Sequence, residues 1–130
     1  MYLLDTNAVI NYLDATLPAH AMQFMGTIVD GNCNISVITK METLGFAFKS
    51  IGEQKTMETF VYGSNVLIIN NEIVDKTIAI RKIKKIKLPD AIIAVTALVY
   101  GFTLISRNTS DFFNIQSLQV IDPYGLLADN

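Results

Sequence analysis

Apolar residues along the chain gather in two ways, as short unbroken runs and as longer helically spaced segments. Met1-Tyr2-Leu3-Leu4 runs straight into Asp5, and Asn65 to Ile69 and Phe102 to Ser106 have the same character. A short apolar run without alternation reads as a strand buried on both faces, as in the middle of a parallel sheet. Cys33 to Ile38, rich in β-branched residues, is expected as the second strand in chain order. Leu118 to Asp122, stopped by Pro123, is expected as the fifth.

Helical spacing fills the intervals. Ala8 to Leu13 predicts a short helix, broken at Leu17-Pro18. Ala19 to Val29 carries Ala21, Met22, Met25, Ile28 and Val29 at helical spacing, with Gly31 suited to its C-terminal cap. Thr39-Lys40-Met41-Glu42 fits a capping box, Thr39 at the N-cap and Glu42 three residues on, opening a helix to about Ser50. Gly52 is expected to separate it from a second helix over Glu53 to Tyr62, the pair forming a hairpin rich in aromatics (Phe46, Phe48, Phe60, Tyr62). Asn70 or Asn71 should cap a helix from Glu72 to about Ile86. Pro89 suits the first position of another that ends at Tyr100, before Gly101. Arg107 to Phe112 reads as a loop.

Strands alternating with helices predict an α/β fold, a central parallel sheet of four to five strands covered on both faces. Its connections should be right-handed, but spacing does not set the strand order. At 130 residues the chain is expected to be a single domain over 1–130.

Topology then turns scattered carboxylates into a group. All strands of a parallel sheet leave at one edge, the carboxyl edge. Asp5 ends the first strand there, and Glu42 lies about one turn into the helix after the second. The helix from Pro89 feeds the fourth strand almost without a loop and, at ~1.5 Å per residue, is about one sheet height long. Its first turn, with Asp90, therefore returns to the carboxyl edge. Asp111, in the segment leaving the fourth strand, joins them. Taken singly, each has an ordinary structural reading: a helix cap for Asp5, a capping-box glutamate for Glu42, dipole complementarity for Asp90, a turn cap for Asp111. Together they need a further account, because like charges ~4 Å apart repel by about 4 kcal/mol at an effective dielectric of 20. Either protons or a divalent cation must neutralise the group.

Composition narrows the cation. With one histidine, His20, and one cysteine, Cys33, a zinc site of His and Cys ligands is excluded, and all-oxygen ligation points to Mg²⁺ or Mn²⁺. The lone cysteine fits a reducing, cytoplasmic setting. No signal peptide is expected, and no apolar run reaches the ~18 residues of a membrane span. The net charge of −2 does not mark a nucleic-acid binder, but five of the ten basic residues (Arg81, Lys82, Lys84, Lys85, Lys87) are clustered.

The segments Leu3-Leu4-Asp5-Thr6-Asn7, Ser36-Val37-Ile38-Thr39 with Glu42, Leu88-Pro89-Asp90-Ala91-Ile92-Ile93-Ala94 with Thr96-Ala97, and Ser106-Arg107-Asn108 with Asp111-Phe112 resemble the PIN-domain family, particularly VapC-type toxins of bacterial toxin–antitoxin pairs. The motifs occur in the family's order and span nearly the whole chain. The resemblance implies a three-layer α/β/α sandwich and metal-dependent endoribonuclease activity. It places Asp5, Glu42, Asp90 and Asp111 at the acidic positions that bind Mg²⁺ or Mn²⁺, with Asn7 and Asn108 as polar neighbours. Ser106 stands where Thr is common, and Tyr124 where Trp is frequent. The resemblance also implies an antitoxin partner and commonly a homodimer.

The expected chemistry is in-line attack of a metal-activated water on an RNA phosphodiester, without a covalent enzyme intermediate. Asp5, Asp90 and Asp111 would hold metal, and Glu42 would ligate it or orient the water. Thr6 and Asn7 are left to cap the first helix. An acidic pocket repels RNA, so basic groups must hold the backbone: Arg107 beside the site, and more remotely Arg81, Lys82 and Lys85. A haloacid-dehalogenase-like phosphatase also opens with Asp after a buried strand, but it wants a second Asp where Asn7 stands. No G-x-G-x-x-G or G-x-x-x-x-G-K is present for a nucleotide site. A PIN-like module that binds RNA or regulates without cutting is the remaining rival, and it need not keep all four acids.

Overall fold

The computed structural model describes residues 1–125. Five strands, β1 (Tyr2–Leu4), β2 (Asn34–Ser36), β3 (Asn65–Leu67), β4 (Thr103–Ile105) and β5 (Val120–Ile121), form one sheet in the order β3-β2-β1-β4-β5. Every neighbouring pair is parallel, as the unalternating apolar runs required. The order was not legible from spacing. It places β1 at the centre, with the chain moving outward to one side through β2 and β3 and then crossing to the other side for β4. That reversal at β1 and β4 is a topological switch point, where the loops leaving adjacent strands part and open a crevice.

Successive side chains of a strand point to opposite faces, and the core divides accordingly. Leu4, Ile35 and Ile105 face one layer, built from α1 (Thr6–Leu13), α2 (Ala19–Asp30) and α4 (Ile51–Tyr62), with Val9, Met25 and Val61 fully buried. Leu3, Leu67 and Leu104 face the other, where α6 (Leu88–Tyr100) contributes Ile93, Ala94 and Ala97, and α5 (Asn71–Ile83) packs against α6. This is the expected α/β/α sandwich. Helix α3 (Val37–Leu44) packs with α1, α4 and α6, so it bridges the two layers at the carboxyl edge of β2.

The helix boundaries correct several expectations. Ser36, not Thr39, is the N-cap of α3: its hydroxyl accepts from the Ile38 N–H at 3.0 Å. The β-branched run that looked like strand to Ile38 therefore turns helical two residues early, and no Thr39–Glu42 capping box forms. Helix α3 ends at Leu44 with Gly45 as its C-cap rather than running to Ser50. Gly52 does not separate helices but lies in the first turn of α4, because Ser50 caps that helix by accepting from the Glu53 N–H at 3.1 Å. Of the four aromatics in this hairpin, Phe48 and Phe60 pack on the core while Phe46 and Tyr62 stay exposed. Part of the predicted Arg107–Phe112 loop is a short helix, α7 (Thr109–Phe112). Among the described residues no helix is long and apolar enough to cross a membrane.

Candidate active site

Asp5 is one position past Leu4, whose register partners are Ile35 on β2 and Ile105 on β4. Ser36 and Ser106 are thus level with it at the ends of the two flanking strands, and the Asp5 N–H still reaches the Ile105 carbonyl at 3.1 Å. Asp5 itself, rather than Thr6 or Asn7, is the N-cap of α1: its Oδ1 accepts from the Ala8 N–H at 2.8 Å. The cap occupies one carboxylate oxygen and fixes the side chain. Only 7% of Asp5 is exposed, and its pKa is pushed up to about 6. Burial is the chief cause. The Ser106 hydroxyl and the Ala8 N–H pull it down, while the negative charges of Asp90 and Glu42 push it up.

Glu42 lies in the middle of α3, exposed, and reaches α1 rather than its own helix terminus. The Thr6 hydroxyl donates to its Oε1 at 2.6 Å and stands 3.1 Å from the Thr39 hydroxyl. Thr6 has one hydroxyl proton to give, so with that proton on Glu42, Thr39 is the donor to Thr6. The result is a relay, Thr39 to Thr6 to Glu42, linking the starts of α1 and α3. Thr39 was missed as a site-supporting residue because its position looked like a cap.

Asp90 sits in the first turn of α6, half-buried, after Pro89. Its pKa is raised by burial and then by the charges of Asp111 and Glu42, and lowered by Lys87, the N-cap residue of the same helix. Lys87 is the member of the basic cluster whose charge lowers the Asp90 pKa. Asp111, exposed on α7, accepts from the Asn108 amide at 2.7 Å. Asn108 is oriented in turn by its own N–H, which donates to Ser106 Oγ at 3.0 Å. Asn7 is exposed on α1 and makes no hydrogen bond to any of the four carboxylates.

The mutual charge effects link Asp5, Glu42, Asp90 and Asp111 into one acidic group at the switch point, with Asp5 following β1 and Asp111 following β4. Among the described residues the one salt bridge is Lys76–Glu72 on the surface of α5, so none of the four is ion-paired. The donor set is oxygen throughout and suits a hard divalent cation. Among the described residues no three His, Cys, Asp or Glu side chains already stand as a coordination sphere. The two exposed carboxylates, Glu42 and Asp111, are held by Thr6 and Asn108 instead.

The basic candidates separate. Arg107 is exposed, directly between Ser106 and Asn108, and its guanidinium lies over the Tyr124 ring at 3.7 Å from the centroid. Arg81 donates to the Ile86 carbonyl at 3.2 Å and braces the turn between α5 and α6, whereas Lys82 and Lys85 are exposed. Beside Glu42 a groove of about 810 Å³ runs between α1, α3 and α4, walled by Ile10, Leu13, Phe46, Phe48 and Met57.

The family model of the PIN domain matches residues 2–117. No curated protein matches the chain. Among solved structures, a toxin–antitoxin complex from Klebsiella pneumoniae is similar over 97% of this chain and 100% of its own, at 32% identity and a TM-score of 0.77. VapBC-1 from nontypeable Haemophilus influenzae is similar over 94% of this chain and 97% of its own, at 27% identity and a TM-score of 0.76. DNA-bound VapBC from Salmonella typhimurium is similar over 94% and 97%, at 25% identity and a TM-score of 0.77.

Proposed function

The chain belongs to the PIN domain family, and from that premise we propose that it is a Mg²⁺- or Mn²⁺-dependent endoribonuclease, the toxin of a toxin–antitoxin pair. One observation carries the reading. A buried aspartate with a pKa of about 6 shares the carboxyl edge with three further carboxylates, and among the described residues no cation is ion-paired with any of them. A fold gains no stability from such a group on its own, so its upkeep makes sense where a cation is to be held.

In this reading Asp5, Asp90 and Asp111 hold the ion and Glu42 completes the set. When bound, Mg²⁺ or Mn²⁺ supplies an acidified water and neutralises charge on the phosphate under attack. Asp5 anchors the site, because its cap to Ala8 and its burial leave it little freedom. Thr6 holds the Glu42 carboxylate in place, where it would complete the ion's ligands or orient the water, and Asn108 holds Asp111. Arg107 offsets the negative site for an incoming RNA backbone.

Two partners accompany the reading. The groove beside Glu42 offers an antitoxin apolar walls (Ile10, Leu13, Phe46, Phe48, Met57) interspersed with Asp14, Lys49 and Glu53, so a segment bound there would lie against Glu42 and block RNA. A homodimer is served by α5, where exposed Val74 and Ile78 lie one turn apart, with Glu72 and Asp75 toward the start of the helix and Arg81 and Lys82 in its last turn. Antiparallel pairing with a second copy sets each charged end against its opposite.

The test is cleavage of a labelled single-stranded RNA. Cleavage is expected with added Mn²⁺, lost on chelation and restored by excess ion. Binding without cleavage at any ion concentration would support the rival RNA-binding module, and cleavage indifferent to chelator would sink the metal centre.

A further inference from the structure

We propose that Arg107 and Tyr124 form a fixed stacking platform that holds an unpaired nucleotide of the RNA beside the carboxylate group. The proposal rests on the nuclease reading and sharpens its substrate to single-stranded RNA.

The platform is assembled from distant parts of the chain. Tyr124, in the 3₁₀ turn Pro123–Gly125 after β5, is pinned at both ends: its N–H donates to Asp122 Oδ1 at 2.9 Å, and its hydroxyl donates to the Thr16 carbonyl at 3.3 Å. The ring between these anchors carries the Arg107 guanidinium at 3.7 Å from its centroid, the distance of direct contact between a planar cation and an aromatic face. An exposed arginine ordinarily samples many rotamers. Here one pose is stabilised without its charge being neutralised, because among the described residues Arg107 donates no hydrogen bond and makes no salt bridge.

Its placement gives that pose a use. Ser106, the preceding residue, is level with Asp5 at the end of the neighbouring strand and helps lower its pKa, and Asn108, the following one, holds Asp111. Arg107 therefore leaves the backbone between two supports of the acidic group. One guanidinium face is covered by Tyr124; Arg107 is exposed, so we assign its other face to a base and its N–H edges to a phosphate. Bases in a duplex are already stacked on their neighbours, so a platform of this kind selects an unpaired nucleotide. Another cation–π pair among the described residues, Lys40 over Tyr62 at 5.3 Å, has no planar cation and offers no second face.

The test is equilibrium binding of a fluorescent single-stranded RNA dodecamer, and of the same sequence as a duplex, by the full chain carrying Asp90→Asn to prevent cleavage. Added Arg107→Lys keeps the charge but not the plane. Added Tyr124→Leu removes the ring, and Tyr124→Phe keeps it. Each of the first two is expected to weaken single-strand binding roughly five- to tenfold, with Tyr124→Phe within about twofold of the parent. Arg107→Lys combined with Tyr124→Leu should be no worse than either alone, because the two act as one unit. Parent-like binding by Arg107→Lys, additive losses in the double variant, or equal binding of duplex would overturn the platform while leaving the nuclease reading intact. Because Arg107 is exposed, its variant decides the matter even if Tyr124→Leu folds poorly. Failure of the parent to bind either RNA would overturn the RNA reading and the platform together.

Discussion

The Thr6 hydroxyl donates to the Glu42 carboxylate across 2.6 Å, tying the first turn of α1 to the middle of α3. Thr39 supports the same hydroxyl from 3.1 Å. This bond holds Glu42, the one carboxylate of α3, so Thr6 acts through Glu42. Thr6→Val should lower cleavage about ten- to a hundredfold, the usual effect of removing a support behind a metal-site ligand. Thr6→Ser should restore most of the loss. Because Thr39 is fully buried and loses the acceptor for its hydroxyl, Thr6→Val should also lower stability by about 1–3 kcal/mol, whereas Thr6→Ser should melt near the parent. Single-turnover rates beside melting curves check both halves.

Asn108 plays the corresponding part for Asp111, through its amide at 2.7 Å. Asn108→Ala is expected to weaken Mn²⁺ affinity by about tenfold or more, with a stability change within about 0.5 kcal/mol. Isothermal titration with Mn²⁺ measures the first and thermal unfolding the second. Unchanged Mn²⁺ affinity would place Asp111 outside the ion's reach.

Acidity supplies a third expectation. The folded pKa of Asp5, about 6, exceeds its ordinary 3.8, so the folded chain holds that proton more tightly than the unfolded one. Stability from this group is therefore present at low pH and lost as pH rises through about 6. At 1.36 kcal/mol per pKa unit the full penalty in the metal-free chain is on the order of 3 kcal/mol, about half of it relieved at pH 5. Asp90, also raised, acts in the same direction. The metal-free chain should melt roughly 5 °C higher at pH 5 than at pH 7.5. Asp5→Asn should flatten that trend, since an asparagine oxygen can still cap α1 without a charge. Added Mn²⁺ should raise the melting temperature at pH 7.5.

Much of this was legible in the chain because burial writes itself into sequence. Leu3 and Leu4 ahead of Asp5, and Leu104 and Ile105 ahead of Ser106, face opposite layers of the sheet and so form unalternating runs. A parallel sheet then sends every strand end to one edge, which gathers the four acids without any knowledge of strand order. Glu42 does lie in the helix that follows the second strand, but that helix starts at Val37 rather than at a Thr39 cap. Ile35-Ser36-Val37-Ile38 has the composition of a strand, and only the Ser36 hydroxyl, by taking the Ile38 N–H, turns it into helix. Once that cap moves, Thr39 is released from the helix start and becomes the support of Thr6. The order β3-β2-β1-β4-β5 was hidden because crossover direction depends on packing across the sheet. The pairing of Arg107 with Tyr124 had no local signal, since β5 and its turn intervene.

The most direct measurement is the rate of Mn²⁺-dependent RNA cleavage by the parent chain, Asp5→Asn and Asp90→Asn, each first shown to be folded by its melting curve. Removing a ligand of the metal centre should cost at least about a thousandfold, with both variants melting at or above the parent in the absence of metal. Cleavage by either folded variant within tenfold of the parent would contradict the account.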